Sequence, residues 1–146
     1  MYVLRSVIME TLKAGCYLVD FDNKKVGLIY RQHLNDYSFP KGHLEDNESL
    51  EECAVRETAE ETKRDCEIIK SIPPIVDEYT TPRGEHCKCY MYVAKDIGKS
   101  DNTSWDTHDL IWVNIDEVEQ KLTYDSLKEY WRVAQQYILD IIKEVK

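Results

Sequence analysis

The sequence lacks the features of membrane-spanning and multidomain proteins. Its 146 residues contain no apolar run of 18 residues, which excludes a membrane-spanning helix of ordinary length. It has no internal repeat, no low-complexity segment and no stretch with the composition of an interdomain linker. We therefore expect residues 1–146 to form one domain, because this length suits a single domain with a substantial core.

Positive charge is scarce in this chain. It has 19 Lys and Arg residues against 28 Asp and Glu residues, which gives a formal net charge of −9. This imbalance argues against stable nucleic-acid binding, because a phosphate backbone attracts basic surfaces. An anionic small substrate would need a metal ion and local basic side chains in order to approach the protein.

A signal peptide is also missing from the N-terminal sequence MYVLRSVIMETLK, which has neither the apolar core nor the small-residue cleavage site. The five cysteines are odd in number, and without a secretion signal they favour free thiols in a reducing compartment. We therefore expect a cytoplasmic protein. The sequence leaves a monomer and a homodimer open.

Hydrophobic periodicity predicts interleaved strands and helices. Residues 12–31 are typical of a β-hairpin, because two apolar strands flank an Asp-Asn turn. Such interleaving predicts an α/β or α+β fold with a mixed β-sheet. The predicted strands are residues 2–9, 12–20, 26–31, 66–72, 75–80, 86–94 and 110–114. The predicted helices are residues 49–63, 116–122 and 125–143, and polar or shaped loops are expected at 35–43 and 98–107.

The helix that begins at Ser49 carries the most informative pattern in the chain. Ser49 and Glu52 have the spacing of a capping box, and the segment as far as Lys63 contains neither glycine nor proline. Three glutamates follow at helical spacings i, i+3 and i+4, so they share one face: Glu57, Glu60 and Glu61. The opposite face, with Val55, Ala59 and Thr62, is the expected core contact.

Three carboxylates on one helix face repel each other unless a cation binds them. Like charges at this spacing each cost about 0.2–0.5 kcal/mol. Oxygen ligands suit Mg²⁺, with Mn²⁺ as a substitute, and Mg²⁺ commonly binds one or two carboxylates together with substrate phosphates. Arg56 is placed to hold one of the carboxylates in a fixed orientation. A solvated acidic helix face is the alternative explanation for the three glutamates alone.

The longer pattern around these glutamates resembles the Nudix box, G-x5-E-x7-R-E-U-x-E-E-x-G-U, where U is a bulky apolar residue. The matching positions in segment 42–64 are Gly42, Glu48, Arg56, Glu57, Glu60 and Glu61. The sequence departs from the box at Thr58, Lys63 and Arg64. The glycine of the box ends the helix in a left-handed turn. Lys63 must therefore adopt that turn at a penalty, or the helix continues to about residue 65.

The resemblance implies a Nudix fold, an α/β/α sandwich that covers nearly the whole chain. It also implies Mg²⁺-dependent cleavage of a phosphoanhydride bond in a nucleoside diphosphate linked to another group. The implied catalytic residues are Glu60, Glu57 and Arg56, and Glu60 is the first choice for the base or the central ligand. The implied metal ligands are Glu57, Glu60, Glu61, Glu48 and the carbonyl of Gly42.

Two further segments resemble one branch of this family. The lead-in Pro40-Lys41-Gly42-His43 and the segment around Tyr124 are similar to the bis(5′-nucleosyl)-tetraphosphatases. The substrate contacts expected from this resemblance are Lys41, His43, Arg31 and Tyr124. Lys41 would meet a phosphate and Tyr124 would stack on a nucleobase, although Tyr124 is equally consistent with packing at the start of a helix.

Several alternatives remain open at the sequence level. Cys87 and Cys89 are close enough in sequence to suggest a zinc site, but His86 falls on the other face of the strand. The favoured interpretation is that both cysteines are buried in the core. The segments 85–86 and 106–109 contain acidic and histidine residues that are possible bases outside the box. Diadenosine tetraphosphate is the first substrate to consider. The alternatives are another Nudix substrate (a nucleoside triphosphate, a diphosphoinositol polyphosphate or capped RNA) and a non-catalytic nucleotide sensor.

Overall fold

The computed structural model describes residues 2–5 and 8–144, with side chains from Glu10 onward. The described residues form nine strands, three α-helices and one 3-10 turn. The strands are β1 Tyr2–Arg5, β2 Ile8–Asp20, β3 Lys25–Arg31, β4 Asp36–Ser38, β5 Lys41–His43, β6 Arg64–Ile68, β7 Ile75–Thr80, β8 His86–Lys99 and β9 Asp109–Asn114. The helices are α1 Leu50–Thr62, α2 Val118–Lys121 and α3 Asp125–Glu144, and the 3-10 turn is Ile115–Glu117.

A parallel pair of long strands, β2 and β8, forms the centre of the sheet, with Leu12 opposite Lys88 and Leu18 opposite Ala94. All the other strand pairs are antiparallel. Strands β1, β3 and β5 pair with β2, and strands β6 and β7 pair with β8. The sheet is therefore mixed, as the sequence predicts.

The two faces of the sheet carry separate apolar clusters. Alternate residues of β2 point to opposite faces, so Tyr17 and Val19 pack with α3, whereas Cys16 and Leu18 pack with α1. On the α3 side, Trp131, Ala134 and Ile138 are fully buried. On the α1 side, Cys53 and Ala54 are fully buried. The two helices on opposite faces give the α/β/α sandwich and confirm the predicted fold class.

The structure corrects several element boundaries. Strand β8 continues to Lys99 because its distal half pairs with β6, so the predicted loop at 98–107 begins two residues later. Residues 41–43 form the short strand β5 on β2 instead of a free loop. The predicted strand 66–72 is shifted and ends at Ile68. Pairing between strands distant in sequence decides these points, and local periodicity does not report it.

The five cysteines are free and buried, which agrees with the preference for core cysteines. Within residues 10–144, the possible metal-binding groups of His, Cys, Asp and Glu contain neither Cys87 nor Cys89. No helix in the described part of the chain has the length and apolar character needed to cross a membrane.

Candidate active site

Helix α1 begins and ends at defined caps. The Ser49 hydroxyl accepts a hydrogen bond from the amide of Glu52 at 3.0 Å, and the Glu52 carboxylate accepts one from the amide of Ser49 at 2.9 Å. At the other end, Lys63 adopts the left-handed conformation with φ 59° and ψ 32°, and its amide donates to the carbonyl of Ala59. The capping box is therefore present, and the helix ends at Thr62 although the glycine of the box is missing.

Arg56 is the centre of the ionic network on this helix. Its Nε atom donates to Glu48 Oε2 at 2.6 Å. Its Nη1 atom donates to Glu57 at 2.8 Å and to Glu60 at 3.0 Å. Its Nη2 atom donates to the carbonyl of His43 at 2.9 Å. One guanidinium thus fixes three carboxylates of the box and ties the helix to strand β5.

Glu57 and Glu61 lie against strand β5 at its closest approach to the helix. Glu61 Oε1 accepts a hydrogen bond from the amide of Lys41 at 2.8 Å. A Cβ atom at position 42 would lie only 2.1 Å from the carboxylate carbon of Glu57, so a larger residue there would displace this carboxylate. This explains in physical terms why a glycine 15 residues before Glu57 belongs to the same pattern.

The carboxylates of the site differ in the direction of their pKa shifts. Burial raises the pKa of Glu61 to about 8, and burial also raises the pKa of Glu57 above its ordinary value. The hydrogen bond from Arg56 lowers the pKa of Glu48. Glu57 and Glu61 are therefore neighbouring buried acids whose joint ionisation would be favoured by a cation.

The loop after β8 adds two potential ligands that lie outside the box. Carboxylate oxygens of Glu57, Glu60 and Asp106 all lie within 4.8 Å of one another. Ligand atoms of Glu61, Asp106 and His108 meet the same criterion. The sequence marked segment 106–109 as a possible source of a base, and the structure brings its Asp106 and His108 to the glutamates.

Glu57, Glu61 and Asp106 border a cleft of about 310 Å³, which we call the carboxylate cleft. Its lining also includes Lys13, Lys41 and Gly42. The sequence analysis did not identify Lys13. It lies in β2 opposite His43 of β5, and its Nζ donates to the hydroxyl of Tyr79 at 3.1 Å. Because this placement depends on the register of two strands, no local sequence signal marks it.

A second cleft of about 690 Å³, the tyrosine cleft, is lined by Tyr79, Tyr124 and Tyr130 among others. It shares Arg31, Ser38 and Lys41 with the carboxylate cleft, so the two form neighbouring parts of one surface. Tyr79 was also missed by the sequence analysis. Its ring lies 5.1 Å from the Lys41 ammonium, at the boundary between the clefts.

Arg31 and Tyr124 line the tyrosine cleft, and both donate hydrogen bonds to the buried carboxylate of Asp36. Arg31 donates two hydrogen bonds to Asp36, at 2.8 and 2.5 Å. The Tyr124 hydroxyl donates to Asp36 Oδ2 at 2.7 Å. The ring of Tyr124 is still 43 % exposed, so this hydrogen bond holds the hydroxyl while the ring borders the cleft.

The profile of the NUDIX domain matches residues 9–133 of this chain. The chain belongs to the NUDIX family. The fold agrees with this membership, because the Caenorhabditis elegans Ap4A hydrolase structure superposes with a TM-score of 0.74 at 18% identity. That superposition covers 89% of this chain and 98% of the other.

Two curated relatives of the Nudix chain are similar in sequence. The 8-oxo-(d)GTP phosphatase of Mycolicibacterium smegmatis is 27% identical over 100 residues, which are 68% of this chain and 30% of that protein. Nudix hydrolase 13, mitochondrial, of Arabidopsis thaliana is 31% identical over an alignment of 132 residues, which covers 79% of this chain and 64% of that protein. The chain thus spans less than two thirds of the length of these two relatives.

The structure of this Nudix domain brings most of the expected site residues together. Those in or around the carboxylate cleft are Lys41, Gly42, His43, Glu48, Arg56, Glu57, Glu60 and Glu61. Arg31 borders both clefts, and Tyr124 borders only the tyrosine cleft. His43 contributes its carbonyl to Arg56, and its imidazole is largely exposed.

Proposed function

We propose that this protein hydrolyses a phosphoanhydride bond in a nucleotide substrate with the help of a divalent cation. The observation that carries the proposal is the meeting of Glu57, Glu60 and Glu61 with Asp106 at one cleft. This cluster offers oxygen ligands, which fits Mg²⁺ or Mn²⁺ and not a soft metal. Glu57, Glu60 and Glu61 would hold the cation, with Glu48 and the Gly42 carbonyl assisting. A cation bound there would supply positive charge for the substrate phosphates and activate water.

The remaining residues of the site would orient the substrate and stabilise charge. Lys41 and Lys13 border the cleft and would bind phosphate oxygens as cations, which offsets the negative charge of the chain. Arg56 keeps the carboxylates in place and so acts on the reaction through them. We assign the general base to Glu60, which would accept a proton from the attacking water.

The tyrosine cleft supports a nucleoside as the organic part of the substrate. A nucleobase stacked on an aromatic side chain gains about 1–3 kcal/mol. A ligand with its phosphates at the glutamates would pass Arg31 and Lys41 and reach Tyr124 through the shared wall of the two clefts. Since the lead-in and the Tyr124 segment resemble the tetraphosphatase branch, a dinucleoside polyphosphate such as diadenosine tetraphosphate is our first choice.

A nucleoside triphosphate is the second candidate. The similarity to the protein named 8-oxo-(d)GTP phosphatase favours it. A mononucleotide has a single nucleobase, which the tyrosine cleft would bind. A non-catalytic sensor is disfavoured, because a pure binder has no need for a repulsive cluster of buried carboxylates.

The test is a chromatographic assay with Mg²⁺ and a substrate panel. The panel contains diadenosine tetraphosphate, ordinary and 8-oxo nucleoside triphosphates, ADP-ribose and a diphosphoinositol phosphate. We expect ATP and AMP from the dinucleotide, and loss of at least 100-fold in turnover for Glu61→Gln. The matched control is Glu67→Gln on the exposed side of β6, which should leave turnover unchanged.

Each other outcome is informative. Cleavage of a nucleoside triphosphate alone would retain the metal-dependent chemistry and replace the dinucleotide. Full activity in Glu61→Gln would contradict the site assignment. Tight Mg²⁺-dependent binding without products, with Mn²⁺ also tried, would favour the sensor.

A further inference from the structure

The C-terminal turn of α1 contains a lysine where the Nudix pattern has glycine. Lys63 adopts the left-handed conformation there. Glycine reaches this conformation freely, whereas a residue with a Cβ atom adopts it at a steric cost. The side chain of Lys63 makes interactions that a glycine could not make.

The Lys63 ammonium connects the helix to the loop that follows β8. It donates to the carbonyl of Ser104 at 2.6 Å and to the carbonyl of Glu60 at 3.2 Å. Ser104 belongs to residues 100–108, which we call the 100–108 loop. A charged donor makes a stronger hydrogen bond than a neutral one, so the first contact is a substantial tether.

Backbone contacts at both ends of the 100–108 loop strengthen this attachment. The amide of Ser100 donates to the carbonyl of Lys63 at 2.9 Å, and the amide of His108 donates to the carbonyl of Glu61 at 3.1 Å. Carbonyls in the last turn of a helix have no partner within the helix. The loop therefore satisfies the end of α1 and is held by it.

This attachment determines the position of Asp106. Only three residues separate Ser104, held by Lys63, from His108, held by Glu61, so Asp106 is confined between two anchors. Its carboxylate lies with those of Glu57 and Glu60. We propose that Lys63 is a positioning residue that keeps Asp106 at the carboxylate cluster. The catalytic part of this inference rests on the proposed function.

Amide hydrogen exchange tests the tether without any substrate. Lys63→Met keeps most of the side-chain length but removes the donor. It should speed exchange at the Ser100 and His108 amides roughly tenfold, as expected for one lost charge-assisted hydrogen bond. Lys63→Arg keeps a charged donor and should stay close to the wild type. The matched control is Lys99→Met, which removes an exposed charge one residue before the loop.

The effect of Lys63 on catalysis is tested by steady-state kinetics. The assay uses the substrate that the wild type is found to cleave. We expect Lys63→Met to lower kcat roughly tenfold with little change in KM, because Asp106 lies at the glutamates that would hold the cation and not in the tyrosine cleft. Lys63→Gly should behave like Lys63→Met, although it relieves the left-handed turn. In an Asp106→Asn background, Lys63→Met should cause little further loss, since both changes remove one contribution.

The outcomes separate this inference from the proposed function. Full kcat in Lys63→Gly would show that the turn alone matters and would overturn the inference. Exchange and kcat in Lys63→Met equal to those of Lys99→Met would also overturn it. If the wild type cleaves no substrate, the proposed function fails, and the exchange data alone decide whether Lys63 holds the loop.

Discussion

Each of the two clefts is organised by one arginine, and the two arginines reach their partners in different ways. Arg56 binds Glu48, Glu57 and Glu60, which all lie within eight residues of it in one loop-helix segment. Arg31 binds Asp36, and Asp36 in turn holds Tyr124 from the far end of the sequence. The ion pairs of Arg56 are therefore set by local sequence, whereas the link from Arg31 through Asp36 to Tyr124 needs the folded chain.

Folding also shifts the pKa values of the acids near the two clefts in opposite directions. Burial raises the pKa values of Glu57 and Glu61 in the carboxylate cleft. Burial also opposes the ionisation of Asp36, but hydrogen bonds from Arg31 and Tyr124 outweigh it and lower the pKa of Asp36. Folding thus disfavours charge on Glu57 and Glu61 and favours it on Asp36, as expected if Glu57 and Glu61 bind a cation.

Among the changes that compare the two arginine networks, replacement of Arg56 should have the largest effect. Arg56→Met leaves three carboxylates without their shared partner, and this partner is only 22 % exposed. We expect a loss of roughly 10–100-fold in kcat, because residues that orient metal ligands contribute this much. We also expect about 1–3 kcal/mol less stability, after allowance for partial exposure.

The control for this change is Arg132→Met in α3. Arg132 also makes a two-bond ion pair, with Glu119, but at a more exposed site. Urea unfolding should show a change of about 0–1 kcal/mol for the control. Equal losses of unfolding free energy in the two variants would show that the site arginine contributes no more to stability than a surface arginine.

The pH dependence of metal-free stability should show the next largest effect. Between about pH 4.5 and 8, folded Glu61 retains a proton that the unfolded chain has released, so stability falls as the pH rises through this window. The loss is at most a few kcal/mol, because one pKa unit corresponds to about 1.4 kcal/mol.

Thermal melts with EDTA and with Mg²⁺ measure this effect. Mg²⁺ should raise the melting temperature of the wild type more at pH 8 than at pH 5, since binding needs ionised ligands. Glu61→Gln should flatten both the pH dependence and the Mg²⁺ effect. An Mg²⁺ effect of equal size at both pH values would contradict the assignment of Glu61.

Loss of Asp36 should act on substrate binding more than on chemistry. Asp36→Ala frees Arg31 and Tyr124 at once and leaves a buried gap, because Asp36 is fully buried. We expect KM to rise roughly tenfold and kcat to change little, which is the opposite of the Arg56 variant. Steady-state kinetics on both variants decide this, and a fall in kcat alone for Asp36→Ala would place Asp36 with the reaction centre.

The smallest effect is expected for Tyr124→Phe. This change removes the hydrogen bond to Asp36 but keeps the ring, so KM should rise no more than about fivefold, or 1 kcal/mol. Tyr124→Ala removes the ring and should raise KM further, by about 1–3 kcal/mol of stacking. The same KM for the Phe and Ala variants would show that the ring does not bind the base.

The sequence was most informative where the site follows one helix. The spacing of Glu57, Glu60 and Glu61 fixes their common side because the helical period is known. The capping box at Ser49 predicts the start of α1, and the structure confirms it. The interleaving of strands and helices also predicted the fold class. These features depend on residues close together in the chain.

Contacts between segments distant in sequence could not be predicted from local periodicity or capping. Lys13 and Tyr79 border the clefts through the registers of β2 and β7, and neither belongs to a recognisable pattern. Thr58 looked like a defect in the box, but it is fully buried and its hydroxyl donates to the carbonyl of Ala54 at 2.8 Å. The helix backbone thus satisfies a polar group at an apolar position.

By itself, the sequence determined the carboxylate helix, its start and the class of the fold, because periodicity and capping are local properties. It left open whether the helix ends in a left-handed turn at Lys63 or continues, and it gave Asp106 only as part of a loop segment that could supply a base. The tertiary structure decided both, since the left-handed turn at Lys63 and the position of Asp106 depend on the same contacts between α1 and the 100–108 loop. Contacts across 41 residues have no signature in either segment alone.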